Sequence, residues 1–289
     1  MGLKEKDYAM QLRHLIFAAA LAATATQAHA DGFTDTWIGV RDGTTISNPG
    51  AEKGGRDVNK VITNFGHFDA GAYGSNFVNL DILLSNPNEP AANSPGGSTE
   101  FYALYRGQFS PDKFLGVNTA IGPFKAINFE IGGDLEGENN AFGADKKAIV
   151  VGPNFHLDVP VGFVNVGVHA YHEWNHNGIV GKDVSFDTTA EFEIVWFFPL
   201  TFTNLPLDFK GFTNVVLPKG KDGFGVQTKT EVLARPQIDL DIGDLMFKKP
   251  HTLYAYFQVE LWENKFGNDH TKVSGSEEIS PVLGIEYHF

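Results

Sequence analysis

Apolar residues recur at every second position along most of this chain, and a period of two is the period of a β-strand whose two faces differ. Phe101, Ala103, Tyr105 and Phe109 alternate with Glu100, Tyr102, Arg106 and Gln108. Ile127, Phe129 and Ile131 alternate with Asn128, Glu130 and Gly132. Ile149, Val151, Phe155 and Leu157 alternate with Val150, Gly152, Asn154, His156 and Asp158. Phe186, Ala190, Phe192, Ile194, Trp196 and Phe198 share one parity, against Asp187, Glu191 and Glu193. Leu253, Ala255, Phe257, Val259 and Leu261 alternate with Tyr254, Tyr256, Gln258, Glu260 and Trp262. The helical period of 3.6 is nearly absent. Most segments therefore carry one apolar face and one face of polar or ionisable groups.

The segments predict about twelve strands, over 34–46, 58–68, 76–84, 99–109, 124–135, 147–158, 162–174, 186–198, 207–216, 227–241, 251–263 and 280–289. No stretch beyond the first thirty residues approaches the ~18 consecutive apolar residues of a spanning helix. Strands of about ten residues in even number are what a membrane barrel needs. Residues 47–57, 85–98, 136–146, 175–185, 217–226 and 264–279 are rich in Gly, Asn, Asp, Lys and Pro, and they alternate with mostly tighter connections. Long loops at one end and short turns at the other are the asymmetry of outer-membrane barrels. The expected fold is all-β: a transmembrane antiparallel barrel of about twelve strands, with both termini periplasmic. The competing architecture is a soluble β-sandwich.

The first thirty residues read as an address. Lys4, Lys6 and Arg13 precede the largely apolar run Leu15 to Thr26, and Ala28-His29-Ala30 has the small-residue pattern of a cleavage site. This predicts a signal peptide over 1–30, cleaved after Ala30, and a barrel over 31–289 in the outer membrane. The 0 Cys residues leave no disulfide scaffold and no thiolate metal site. A net charge of −13 disfavours binding to a phosphate backbone, so no nucleic-acid partner is expected.

The chain closes on Leu283-Gly284-Ile285-Glu286-Tyr287-His288-Phe289, an amphipathic last strand. Its outer face is Leu283, Ile285, Tyr287 and Phe289. An aromatic end suits the membrane–water interface. The pattern resembles the closing signal that bacterial barrels present to their assembly machinery, which makes that machinery an expected partner beside lipid and lipopolysaccharide.

A family resemblance rests on particular segments. Residues 166–178, VGVHAYHEWNHNG, then Phe197-Phe198-Pro199-Leu200, then GFTN at 211–214, resemble the nucleoside-specific channel-forming proteins (Tsx-type) of the Gram-negative outer membrane. Trp37-Ile38-Gly39-Val40-Arg41, Tyr73-Gly74-Ser75-Asn76-Phe77 and Gly122-Pro123-Phe124 add to it. The resemblance implies a monomeric twelve-stranded barrel that passes nucleosides by diffusion through a narrow lumen of aromatic and ionisable groups.

Polar-face residues of a barrel point inward. The candidate channel residues are Glu100, Tyr102, Arg106, Glu191, Glu193, Tyr254, Tyr256, Glu260 and Trp262. Asn128, Glu130, Asn154, His156, Asp158, Glu231 and Arg235 are further lumen-facing candidates. Aromatic faces stack a base at roughly 1–3 kcal/mol, and carboxylates accept hydrogen bonds from ribose hydroxyls. The same inward charges also build ion pairs that fill and rigidify a small barrel. Carboxylates exceed bases among these candidates, so anions should be disfavoured. His169, His172 and His176 cannot converge on a metal without a bend, because His169 and His172 face opposite sides of one strand. No nucleophile–base pair is placed by the sequence, so no catalytic residue, metal or cofactor is assigned and the chain is not expected to be an enzyme. Two functions stay open: a passive channel for nucleosides or similar neutral solutes, and a structural barrel with a plugged lumen whose loops contact lipopolysaccharide, phage or bacteriocins.

Overall fold

A computed structural model describes residues 32–50, 57–90, 96–140 and 142–289, and residues 1–30, expected to be a signal peptide, lie outside them. The strands are β1 (Phe33–Ile46), β2 (Val58–Gly71), β3 (Gly74–Ser85), β4 (Thr99–Phe109), β5 (Phe124–Glu138), β6 (Asp145–Leu157) and β7 (Phe163–Asn177). They continue as β8 (Lys182–Ser185), β9 (Thr189–Pro199), β10 (Leu207–Val216), β11 (Glu231–Ala234), β12 (Gln237–Asp241), β13 (Leu253–Glu263) and β14 (Glu277–His288). All pairings are antiparallel, and β1 pairs with β14, so the sheet closes on itself.

Two staves are each made of two strands. β8 and β9 both pair with β7. β11 and β12 both lie between β10 and β13, separated by Arg235 and Pro236. Proline has no N–H for the ladder, which explains a break at that point. The barrel therefore has 12 staves. Closure leaves no sheet edge, so the wall's backbone groups are satisfied without water.

The two faces sort as the alternation requires. Ile38, Val40, Ile131, Ile149, Ile194, Ile238, Phe257, Leu283 and Ile285 are exposed on the outer wall. Arg41, Lys60, Asp81, Arg106, Glu130, Asp134, Glu173, Glu191, Glu260 and Glu286 are buried inside. This inverts the order of a soluble protein, where charged side chains are almost never the buried ones. Among the described residues no helix is long and apolar enough to cross a membrane. A closed, even-numbered barrel with apolar exterior and ionisable interior is a transmembrane barrel of the outer-membrane type.

The strand boundaries depart from expectation in three places. The expected strand at 186–198 breaks, because Phe186 leaves the outer face and is buried with Lys219 Nζ 4.7 Å from its ring centroid. The stave expected from residue 227 begins at Glu231, and Gln227 bridges back to Lys221 within the loop. Asp158 is exposed in the turn after β6 rather than in the wall.

Connections at the short-turn end carry two short helices, Pro111–Leu115 and Ile242–Phe247. The second is capped by Asp241, whose side chain accepts from the backbone N–H of Asp244. Phe114, Leu115, Leu245, Met246 and Phe247 are exposed on these helices, and Tyr73 and Phe109 are exposed beside the first. Such an apolar and aromatic rim marks the level of a membrane interface.

Candidate functional site

The inner wall is where polar chemistry concentrates, and its groups are tied across staves. Arg41 on β1 donates through Nη1 to Asp81 Oδ1 on β3 at 3.3 Å, reaching over β2. Asn64 of β2 donates to the same oxygen at 2.7 Å. Lys60 on β2 reaches Glu100 on β4 at 2.7 Å. Lys210 on β10 meets Asp239 at 2.7 Å and Glu286 of β14 at 3.3 Å. Arg235 lies 2.8 Å from Glu260. Each of these cations sits beside at least one carboxylate, which offsets the cost of leaving bulk water.

A denser group occupies the wall from β4 to β9. Arg106 donates to Asp134 at 2.8 Å and stands 3.7 Å from Glu130 and 3.9 Å from Glu193. His169 lies between Glu130 at 3.6 Å and Glu191 at 3.7 Å. Glu130 is 0% exposed, and His169 and Glu191 are each 2% exposed. Gln108 and Asn154 both donate to Glu130 Oε2, at 3.0 and 2.7 Å.

The candidate channel residues fall into separate groups. Arg106, Glu191 and Glu193 belong to this cluster. Glu100 pairs with Lys60, and Glu260 with Arg235. Tyr102 has Lys146 Nζ 5.9 Å from its ring centroid. Tyr254 and Tyr256 face inward near the short-turn end, where the Tyr254 hydroxyl is 2.8 Å from His251 Nδ1. Trp262 stands at the other end of β13, eight residues or roughly 26 Å along the strand. Its indole donates to Glu231 at 2.8 Å. Tyr254, Tyr256 and Trp262 therefore share a face but not one stacking platform.

Loop residues that carry no alternation signal complete the lumen at the long-loop end. Lys265 Nζ binds Glu278 at 2.6 Å and the Ser47 carbonyl at 2.8 Å, and stands 4.3 Å over Trp262. Lys219 contacts Glu173 and lies over the Phe186 ring. The two loops that supply them are joined by Lys229 N–H donating to the Gly267 carbonyl at 2.9 Å and by Lys229 with Asp269 at 3.6 Å. The Thr271 hydroxyl donates to Asp269 and holds its carboxyl down at about 2.

A second polar feature faces outward. Thr36 Oγ1 is 2.7 Å from His67 Nδ1, Asn76 donates to Asp69 at 3.0 Å, and Tyr105 donates to Asn76 at 2.8 Å. His67 Nε2 and Asp69 Oδ2 are 3.4 Å apart. The register puts these residues on the apolar parity of their strands, beside the turn at Gly71–Gly74.

The closing-strand residues project outward as their parity requires: Leu283, Ile285 and Tyr287 are exposed, and Phe289 is 79% exposed. His169 is buried inside the wall, while His172 lies against Trp174, an exposed residue of the opposite parity, and His176 pairs with exposed Asp183.

No family model matches the chain, and no curated protein matches it either. Among solved structures it is similar to an outer-membrane channel from Pseudomonas putida F1, at TM-score 0.49 and 8% identity over 91% of this chain and 97% of that one. It is similar to the translocator domain of the autotransporter NalP from Neisseria meningitidis, at TM-score 0.41 and 12% identity over 99% and 98%. A KdgM porin gives TM-score 0.40 and 8% identity over 89% and 99%. The strand pairing and the two faces of the wall, not these likenesses, define the class.

Proposed function

We propose that this chain is a passive, non-enzymatic channel of the bacterial outer membrane for small neutral solutes, nucleosides being the substrate class. The observation that carries the reading is the concentration of polar groups on the inner wall, interrupted by apolar clusters at Ile46, Val58 and Ile62 and at Ala148, Val150 and Tyr171, with carboxylates outnumbering bases among its buried groups. Such a lumen hydrates polar solutes and repels anions, so it suits a nucleoside better than a nucleotide. The nucleoside class rests on the resemblance carried by residues 166–178, 197–200 and 211–214, and on the inward aromatics Tyr102, Tyr254, Tyr256 and Trp262. In this reading the long loops face outside, both termini face the periplasm, and the barrel is a monomer whose last strand addresses the assembly machinery.

A second reading, a structural barrel with a filled lumen, is favoured by the near-complete shielding of Glu130, Asn154, His169 and Glu191. Single-channel recording in planar bilayers separates the two. A channel gives discrete conductance steps that thymidine or adenosine reduces reversibly. Tyr254→Ala and Tyr256→Ala should each weaken that block, since one stacking contact of roughly 1–3 kcal/mol is about 5–150-fold in affinity. Absence of any step favours the filled barrel. Steps that no nucleoside reduces leave a channel with a different solute.

A further inference from the structure

The cluster on β4 to β9 holds more negative charge than it neutralises. Arg106 is hydrogen-bonded to Asp134 and stands near Glu130 and Glu193, and His169 lies between Glu130 and Glu191, so one guanidinium and one imidazole face four carboxylates. Even a doubly protonated His169 would leave that group net negative. Gly167 makes the arrangement possible, because a Cβ there would collide with the His169 ring that lies over it.

Its hydrogen bonding is also incomplete. Both ring nitrogens of His169 and Nε and Nη2 of Arg106 are buried without a hydrogen bond, and so are Glu130 Oε1, Glu191 Oε2 and Asn154 Oδ1. Buried polar atoms in native proteins are nearly always paired, and each one left unpaired costs about 1–3 kcal/mol. The contacts of 3.6–3.9 Å within the cluster are long for hydrogen bonds, so these atoms retain their capacity to bind something else.

We infer that this cluster is a binding site in the lumen for a primary ammonium ion carried by a small organic solute. Three N–H donors on one positive centre match the three unpaired acceptors Glu130 Oε1, Glu191 Oε2 and Asn154 Oδ1. The surplus carboxylates supply the countercharge. An anion would meet those carboxylates directly. A quaternary ammonium has the charge but no donor. The site rests on the channel reading and adds to it a second solute chemistry, distinct from that of a neutral nucleoside.

The test uses the full-length protein in planar bilayers. The reversal potential in a KCl gradient gives the charge selectivity, and ethylammonium chloride probes the site. The expected result is cation selectivity and reversible block by ethylammonium, with tetramethylammonium at least tenfold weaker. Glu191→Gln should weaken ethylammonium block at least tenfold, as should Glu130→Gln if it still assembles. Asp183→Asn, an exposed change on β8 away from the cluster, should leave the block as in the wild type. Anion selectivity, equal block by both ammonium ions, or unaltered block in Glu191→Gln overturns the site. Thymidine block measured in the same membranes keeps the two readings apart. Thymidine block without ethylammonium block removes the ammonium site and leaves the channel standing, whereas a protein with no conductance removes both.

Discussion

The ring of Tyr256 occupies the space above Gly284 where any other residue would carry its Cβ. The two residues are directly paired, Tyr256 on β13 and Gly284 on β14, with both positions facing the lumen. The glycine lets a large ring lie against the wall instead of standing across the passage. Gly284→Ala should therefore push Tyr256 off the wall and destabilise the barrel by about 1–3 kcal/mol, the usual cost of overpacking. The urea midpoint of protein folded into lipid vesicles measures this. Tyr256→Ala in the same chain should recover part of the loss, because the two changes share one contact. An unchanged midpoint in Gly284→Ala would show that the wall relaxes around the added methyl.

Arg41 and Asp81 give a stronger case. Both are buried in the lumen, and Asn64 completes the carboxylate's hydrogen bonding. Asp81→Asn keeps the shape and removes the countercharge, leaving the guanidinium without its nearest partner. Breaking one side of a buried pair costs about 3–5 kcal/mol. Replacing both, as Arg41→Met with Asp81→Leu, should cost much less than the single change. A single variant as stable as the wild type would mean that water already solvates Arg41.

The architecture was legible because each stave writes its two faces into the sequence. Strands β4 and β10 have the bounds the alternation predicts, and most others differ by a few residues at their ends. Partners across the lumen were not legible. Lys210 and Glu286 are 76 residues apart, and only the register of the closed sheet brings them together. Lys219 and Lys265 carry no such signal, because loop residues have no period to betray their direction. The loop also bends Phe186 inward against its own parity. Asn154 was legible as an inward residue, but not as a ligand of Glu130.

The outward array of Thr36, His67, Asp69, Asn76 and Tyr105 departs from the alternation of apolar outside and polar inside. Polar groups on a lipid-facing wall persist when they satisfy one another. Tyr105→Phe removes the hydroxyl that donates to Asn76 and leaves that amide oxygen unpaired. The expected loss is about 0.5–1.5 kcal/mol in the same urea measurement. Stability equal to the wild type would place this end of the wall in water rather than in lipid.

Phe289 extends the outer face of β14 past its last paired residue, its N–H donating to the Thr36 carbonyl at 3.0 Å and its ring standing edge-on to Tyr287. Phe289→Asp places a charge where the folded barrel loses only about 0–1 kcal/mol, because the position lies at the interface. Any large fall in yield would then come from assembly rather than from stability. The outer-membrane fraction should drop severalfold in cells, while the purified variant refolds into vesicles as the wild type does. Normal yield in cells would count against a role for this residue in recognition.

Lys265 joins three parts of the long-loop end: Glu278 on β14, the Ser47 carbonyl after β1, and the Trp262 ring on β13. Its loop is tied in turn to the loop that carries Lys219, through Lys229 with Gly267 and Asp269. If solutes pass the lumen, they pass this junction, where Lys265 holds its loop against the wall. Lys265→Met keeps the apolar stem on Trp262 and removes the charge that binds Glu278 and Ser47. Two changes should follow together. The loops lose their inward tether, which raises single-channel conductance. Glu278 loses its counterion, which shifts the reversal potential further toward cations. Glu278→Gln separates the two effects, since it weakens the tether without leaving a free carboxylate, so conductance should rise with no gain in cation selectivity. Equal conductance in the wild type and both variants would place the barrier to current below this junction, at the level of Glu130 and His169.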